Sequence, residues 1–277
     1  MRVFSGTSGY AYDEWRGVFY PPELKPGDYL GYFARRLPTV EINYTFYRMP
    51  KPDVVAAWYD QTPSGFGVAL KASRRITHQQ RLKESLDSVT YLFKVAAILK
   101  EKLTSVLFQL PPQLRKDVPR LSDFLAILPE GCRATFEFRH PSWFDDAVYA
   151  CLRERGAALC WSDEDELEPP PIATAAWGYV RLRHERYTPE ALRVIAERIA
   201  KQPWEQASVY FKHEETAWDQ ALRFQPLMDA VLGLDARAPE AAERGPGPQV
   251  RKAEPREIPA EAPLAVAEGR TRAKRSR

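Results

Sequence analysis

The chain has 277 residues, 44% hydrophobic and 12% aromatic, enough to build a substantial core in one large domain or two small ones. Its formal charge of +3 belongs to its end: residues 236–277 hold ten Lys/Arg and six Asp/Glu, so the preceding residues sum to −1 and nothing global marks the body as a nucleic-acid binder. No apolar run approaches the roughly 20 residues needed to cross a bilayer. A strand-like start at Met1-Arg2-Val3-Phe4 leaves no room for a secretory leader, and Cys132, Cys151 and Cys160, with neither metal-ligand nor redox spacing, read as reduced thiols of a cytoplasmic protein.

Short apolar-rich runs recur along the body and predict eight strands, at Val3–Gly6, Val40–Asn43, Val68–Lys71, Val106–Gln109, Thr135–Arg139, Leu159–Asp163, Tyr179–Arg183 and Val209–Lys212. Helical patterns fall between them. Leu82, Leu86, Val89, Phe93 and Ala96 step by three and four and share one face. Leu121, Phe124, Leu125 and Leu128 repeat that pattern. Thr188-Pro189-Glu190 supplies an N-cap, a proline at the first helical position and an acid in the first turn, ahead of a Leu192, Ile195, Ile199 stripe. Trp218, Ala221, Leu227, Met228 and Val231 predict a closing helix.

Strand–helix alternation implies α/β architecture with a parallel sheet. Gly6-Thr-Ser-Gly9 lacks the third glycine of a nucleotide-binding turn, so a closed (βα)8 TIM-type barrel over residues 1–235 is expected rather than a doubly wound open sheet. Residues 236–277 hold Pro239, Pro246, Pro248, Pro255, Pro259 and Pro263 and no aromatic residue, and are expected to be a disordered basic tail. Its end, Arg270–Arg277, suits RNA, DNA or anionic lipid, or merely solubilises the chain.

Strands of an α/β barrel are buried on both faces and usually read as continuous apolar runs. These alternate instead. Val40 and Ile42 flank Glu41, with Asn43 next; Leu70 precedes Lys71; Phe108 precedes Gln109; Phe136 and Phe138 flank Glu137, with Arg139 next; Val180 and Leu182 flank Arg181; Phe211 precedes Lys212. The apolar set is expected to face the helices and the polar set the barrel axis. The polar members gather at the C-terminal strand ends, where barrel ligand sites lie. A mouth ringed by Glu41, Asn43, Lys71, Gln109, Glu137, Arg139, Asp163, Arg181 and Lys212 follows. The bland alternative is a self-satisfied lattice pairing Glu41 with Lys71 and Glu137 with Arg181.

At these residues the chain resembles the DUF72 (YecE-like) family. The matching words are Gly6-Thr-Ser-Gly-Tyr10, Trp15-Arg-Gly-Val-Phe-Tyr-Pro21, Val40-Glu-Ile-Asn43 with Thr45-Phe-Tyr-Arg48, and Lys71-Ala-Ser-Arg-Arg-Ile-Thr-His78. Leu107-Phe-Gln-Leu-Pro-Pro112, Glu137-Phe-Arg-His140 with Trp143, Tyr179-Val-Arg-Leu182 and Tyr210-Phe-Lys212 follow in the family's order. The resemblance implies a TIM barrel and locates the site, but names no reaction. Arg183-His184 and Lys212-His-Glu-Glu215 stand where many members carry His-Gly and an asparagine-rich segment.

The cationic excess fits a small anionic or phosphorylated substrate. Arg139, Arg181 and Lys71 would fork onto its phosphate or carboxylate, with Asn43, Gln109, Tyr47, Asp163 and Lys212 completing the binding set. Glu41 and Glu137 are the acid/base candidates, Lys71 an alternative Schiff-base amine, and His140, just before Pro141, the histidine to test first. Paired carboxylates also serve glycoside hydrolysis, though two in a barrel are unspecific. Glu41, Glu137, Asp163 and His140 offer metal ligands, but the surrounding cations argue against a metal, and no cofactor can be named. A second reading is a nucleic-acid-binding protein using Arg74, Arg75, the basic tail and loop aromatics (Tyr10, Tyr12, Trp15, Phe19, Tyr20, Tyr44, Phe46, Tyr47); those rings serve equally as loop packing. A third is a non-catalytic scaffold. Oligomeric state is not legible.

Overall fold

The structure, a computed structural model, describes residues 1–163 and 169–234. The expected tail lies outside the described residues. Eight parallel strands close in chain order into a barrel. They are β1 (Arg2–Ser8), β2 (Thr39–Ile42), β3 (Gly67–Lys71), β4 (Leu103–Gln109), β5 (Ala134–Glu137), β6 (Ala158–Ser162), β7 (Trp177–Leu182) and β8 (Gln206–Phe211). The seam runs from Arg2↔Gln206 to Thr7↔Phe211.

The helices are α1 (Tyr29–Ala34), the single turn α2 (Tyr44–Tyr47), α3 (Pro52–Gln61), α4 (Leu86–Ala96), α5 (Val118–Ala126), α6 (Asp146–Glu154), α7 (Pro189–Ala200) and α8 (Ala217–Val231). Thr188 caps α7 as its sequence predicts, its hydroxyl accepting from the Ala191 N–H. One connection departs from the expected repeat: among the described residues no helix joins β6 to β7. There Thr174 ties the chain down, its hydroxyl donating to Ala157 O and accepting from Leu159 N.

The apolar strand set packs outward as its alternation predicts. Val40, Ile42, Val68 and Leu70 join Val180, Val209 and Phe211 in one jacket cluster, and Val106, Phe108, Phe136 and Phe138 join the α4–α6 side in another. The stripe assigned to α4 needs correction. Val89, Leu92, Val95 and Ala96 form its buried face, whereas Leu86 is 56% exposed and Leu82 precedes the helix. Arg81, Leu82 and Glu84 adopt left-handed backbone (φ 51, 68 and 47°), so the chain enters α4 rotated away from the phase that Leu82 would set.

The loop after β1 is aromatic-rich and packed. Trp15, Phe19 and Tyr20 are buried among Tyr29 and Phe33, and Tyr20 stacks on Tyr29 with centroids 4.0 Å apart. These three rings therefore offer no face for stacking a base. Trp15 also donates its indole N–H to Glu214 O, binding this loop to the end of β8.

Inside the barrel, Ala69, Leu107, Cys160, Tyr179 and Tyr210 form a small plug. The Tyr179 and Tyr210 rings lie 5.0 Å apart, and the Tyr210 hydroxyl meets the Thr39 hydroxyl at 2.9 Å. Gly6 permits this close packing, because a Cβ there would lie 1.9 Å from the Thr39 carbonyl oxygen. Gly6→Ala is expected to cost about 2–4 kcal/mol of stability through backbone displacement between β1 and β2, read as a lower urea midpoint. An unchanged midpoint would contradict that close approach.

Candidate functional site

Strand register sets the site. Ser8 pairs with Glu41, Gln109 with Glu137 and Ser162 with Arg181, so one interior layer carries the polar groups at the C-terminal strand ends. At its centre is Arg181, fully buried. Its Nη2 donates to Glu41 Oε1 at 2.9 Å and its Nη1 to Glu137 Oε2 at 2.5 Å.

Both carboxylates are saturated. Glu41 also accepts from the Ser8 hydroxyl and, at 2.6 Å, from the Tyr179 hydroxyl. Glu137 also accepts from Gln109 Nε2 at 2.7 Å and Arg139 Nε at 3.1 Å, with Arg183 Nη1 at 3.8 Å. Burial acts to raise the pKa of Glu41, but Arg181, Ser8 and Tyr179 outweigh it and hold the group below the usual carboxylate range. Glu137 is likewise depressed, burial being overcome by Arg181, Arg139 and Lys71. The expected Glu137–Arg181 pair is present. The expected Glu41–Lys71 pair is not; the cation on Glu41 is Arg181, which reaches it from across the barrel. Its guanidinium bridges the two carboxylates and so engages both acids that a paired-carboxylate hydrolysis would need free.

Lys71 stands apart. It is 9% exposed, makes neither an ion pair nor a hydrogen bond from its amine among the described residues, and lies with Nζ 4.3 Å above the Phe46 ring. Burial, then the Arg181 charge and further Lys212, lowers its pKa to about 7 despite Glu137 and Glu41. Another buried lysine shows the contrast: Lys102 Nζ donates to Tyr59 O and Thr62 O, both at 2.6 Å, and to Thr62 Oγ1 at 3.1 Å. Lys102 is a structural plug; Lys71 keeps its donors unspent. Lys212, half-buried, is lowered to about 8 by burial, Arg181 and Arg183.

The remaining candidates occupy more peripheral places. Asn43 donates to Ser8 Oγ at 2.8 Å, while its own carbonyl oxygen is buried without a partner. Tyr47 is 58% exposed at the rim, edge-on to Phe46. Asp163 is committed to the loop after β7, accepting from Arg183 N at 2.6 Å and from the Tyr187 hydroxyl; burial raises its pKa against these bonds. His140 caps the turn Pro141–Trp143, its Nδ1 accepting from Ser142 N at 3.1 Å. That bond uses the lone pair a general base would need at Nδ1. Glu41, Glu137 and Asp163 thus do not gather with His140, and among the described residues no group of His, Cys, Asp and Glu is placed to hold a metal ion.

Sequence reasoning missed Ser8 and Tyr179, and gave His78 only an orienting role. Ser8 lies beyond the expected end of β1, and Tyr179 has the same strand parity as Arg181. His78 sits in a π-helical turn, Arg75–Gln79, with its ring 5.1 Å from Phe46; burial, Lys71 and Arg139 lower its pKa. Such turns recur at functional sites.

Arg181→Met would leave two buried carboxylates without their guanidinium and is expected to cost about 3–5 kcal/mol, with most of the loss recovered by adding Glu41→Gln and Glu137→Gln. Urea denaturation of the single and triple variants checks this. No recovery in the triple variant would refute the charge account. For Lys71 the sign is opposite. Its depressed pKa destabilises the fold below about pH 7, and the penalty fades as pH rises toward the ordinary value of 10.5. Lys71→Met should therefore be more stable than wild type at about pH 6, by a margin that shrinks toward about pH 10, as thermal melts would show.

The comparisons agree with this barrel. A family model described as "Protein of unknown function DUF72" matches residues 4–243. The chain is 34% identical to the UPF0759 protein YecE of Escherichia coli O157:H7 over 144 residues, 52% of this chain and 53% of that protein. It is 27% identical to the UPF0759 protein YunF of Bacillus subtilis over 155 residues, 53% of this chain and 54% of the other. The chain thus spans about half the length of the curated relatives it matches. A DUF72 family protein from Thermotoga maritima superimposes with TM-score 0.74 at 26% identity, covering 83% of this chain and all of that one. One from Enterococcus faecalis, at TM-score 0.69 and 18% identity over 84% of this chain and 96% of that one, shares the fold. With the family model spanning all eight strands, the chain belongs to the DUF72 family.

Proposed function

We propose that the barrel mouth, within a unit of residues 1–235, binds a small anionic or phosphorylated substrate and that the protein is an enzyme acting on it. The observation that carries this reading is an imbalance of charge. Glu41 and Glu137 supply two negative charges against Arg181, Arg139 and Arg183, and Lys71 and Lys212 add to that cationic excess; burial, then repulsion from Arg181, lowers the two amines' affinity for protons. A phosphate or carboxylate would relieve that repulsion, and partial burial strengthens the attraction.

The chemistry then divides between two sets of residues. Glu41 and Glu137, saturated with hydrogen bonds and held anionic, position Arg181 and are poor proton acceptors. Lys71, close to half protonated at neutral pH, suits proton transfer or nucleophilic attack. Arg139 and Gln109 both donate to Glu137 Oε1, while Arg181 holds Oε2. Among the described residues, no helix is long and apolar enough to cross a membrane.

Sulfate, whose charge is constant across the range, is the probe. Binding draws on protonated Lys212 and is strengthened by protonated Lys71, so affinity should be highest below about pH 7 and fall at least about tenfold by about pH 9. Lys71→Met and Lys212→Met should each weaken it at low pH. Calorimetry in buffers of different ionisation enthalpy would register proton uptake on binding near pH 8. Affinity independent of both pH and these substitutions would overturn the reading.

A further inference from the structure

Four features converge on one amine. Lys71 ends β3 at the C-terminal mouth, is 91% withdrawn from solvent by a relative exposure of 9%, and spends no hydrogen bond. Phe46 on α2 lies against its Nζ. Thr45 on the same turn donates to the Lys71 carbonyl at 2.6 Å, fixing the backbone from which the side chain projects. The groups acting on it from the surrounding elements are Arg181 of β7, Glu41 of β2, Glu137 of β5, Lys212 after β8 and His78 after β3. Both carboxylates are clasped by Arg181 and offset burial and the neighbouring cations only in part.

We infer that Lys71 is an imine-forming nucleophile, and that the substrate class is an aldehyde or ketone that also carries a phosphate or carboxylate. This rests on the anion-binding reading above, since the anion would be held by Lys212 and the neighbouring guanidinium groups while the carbonyl faces Nζ. The neutral Nζ adds its lone pair to the carbonyl carbon, and the carbonyl oxygen takes a proton to give a carbinolamine. Protonation of that hydroxyl, with Lys212 as the nearby ammonium acid, releases it as water. The nitrogen retains one proton, so amine, carbonyl and one proton yield a protonated imine and water. That cationic product is the electron sink for bond-making or bond-breaking at the adjacent carbon. A lysine needs burial or neighbouring cations to act this way at neutral pH, and this one has both.

The test uses the full chain with glycolaldehyde phosphate and cyanoborohydride, followed by peptide mass spectrometry. Glycolaldehyde without the phosphate is the control, and sulfate the competitor. Lys71 should be alkylated on the order of a hundredfold faster than exposed lysines near pH 7.5, because far more of it is neutral there. Sulfate and removal of the phosphate should each slow the reaction. Lys71→Arg should lose the rapid adduct. Adducts spread over exposed lysines, with Lys71 unmodified and sulfate still bound, would overturn the imine and leave the anion site standing. Absence of both the adduct and sulfate binding would overturn the two together. Rapid Lys71 modification indifferent to sulfate and to the phosphate would keep the nucleophile and overturn the anionic substrate class.

Discussion

A guanidinium removed wholly from water loses several kcal/mol of hydration, and each carboxylate buried with it loses as much again. Arg181 regains this only through its geometry, with one nitrogen on Glu41 and another on Glu137. Every other polar placement in the mouth serves that clasp. Ser8 and Tyr179 complete Glu41, Gln109 and Arg139 complete Glu137, and Asn43 holds Ser8. Such a network is costly when incomplete and rigid when satisfied. It fixes five strands to one another through side chains, and it presents a charged floor whose two carboxylates only partly offset the neighbouring cations.

The same clasp explains why carboxylates that look like acid/base partners in a sequence need not behave as such. Their depressed pKa values come from being well solvated by the protein, which is the opposite of a general acid's requirement. The amine that the network leaves outside the clasp is Lys71. Lys102 and Lys71 make the point as a pair: equal in side-chain chemistry, both buried and both over an aromatic ring, yet among the described residues one also meets three oxygens and the other none.

The eight strands were legible because their polar residues interrupt a pattern that ought to be continuously apolar, and parity alone assigned Glu41, Lys71, Glu137 and Arg181 to the interior. Pairing was not legible. Glu41 and Lys71 sit on neighbouring strands and look like partners, but side-chain length lets Arg181 reach across the barrel, and strand order does not encode that. Ser8 was lost to a boundary set two residues early. The phase of α4 was lost because the step from Leu82 to Leu86 ran through left-handed backbone that no periodicity reveals. Between β6 and β7 the chain is anchored by Thr174, a local hydrogen-bonding solution without any repeat to detect.

Closing a parallel barrel joins the first strand to the last. The Ser5 amide donates to the Gln225 side chain across 220 residues, and α8 packs over β1 beside that bond. During synthesis β1 therefore emerges long before its second neighbour exists, leaving an open edge through most of translation. Contacts of such long sequence separation slow folding and prolong exposure of unpaired backbone. The last strand and helix thus act as a late clasp on the nascent chain, and ribosome stalling before residue 225 would release a sheet with two adhesive margins rather than a closed ring.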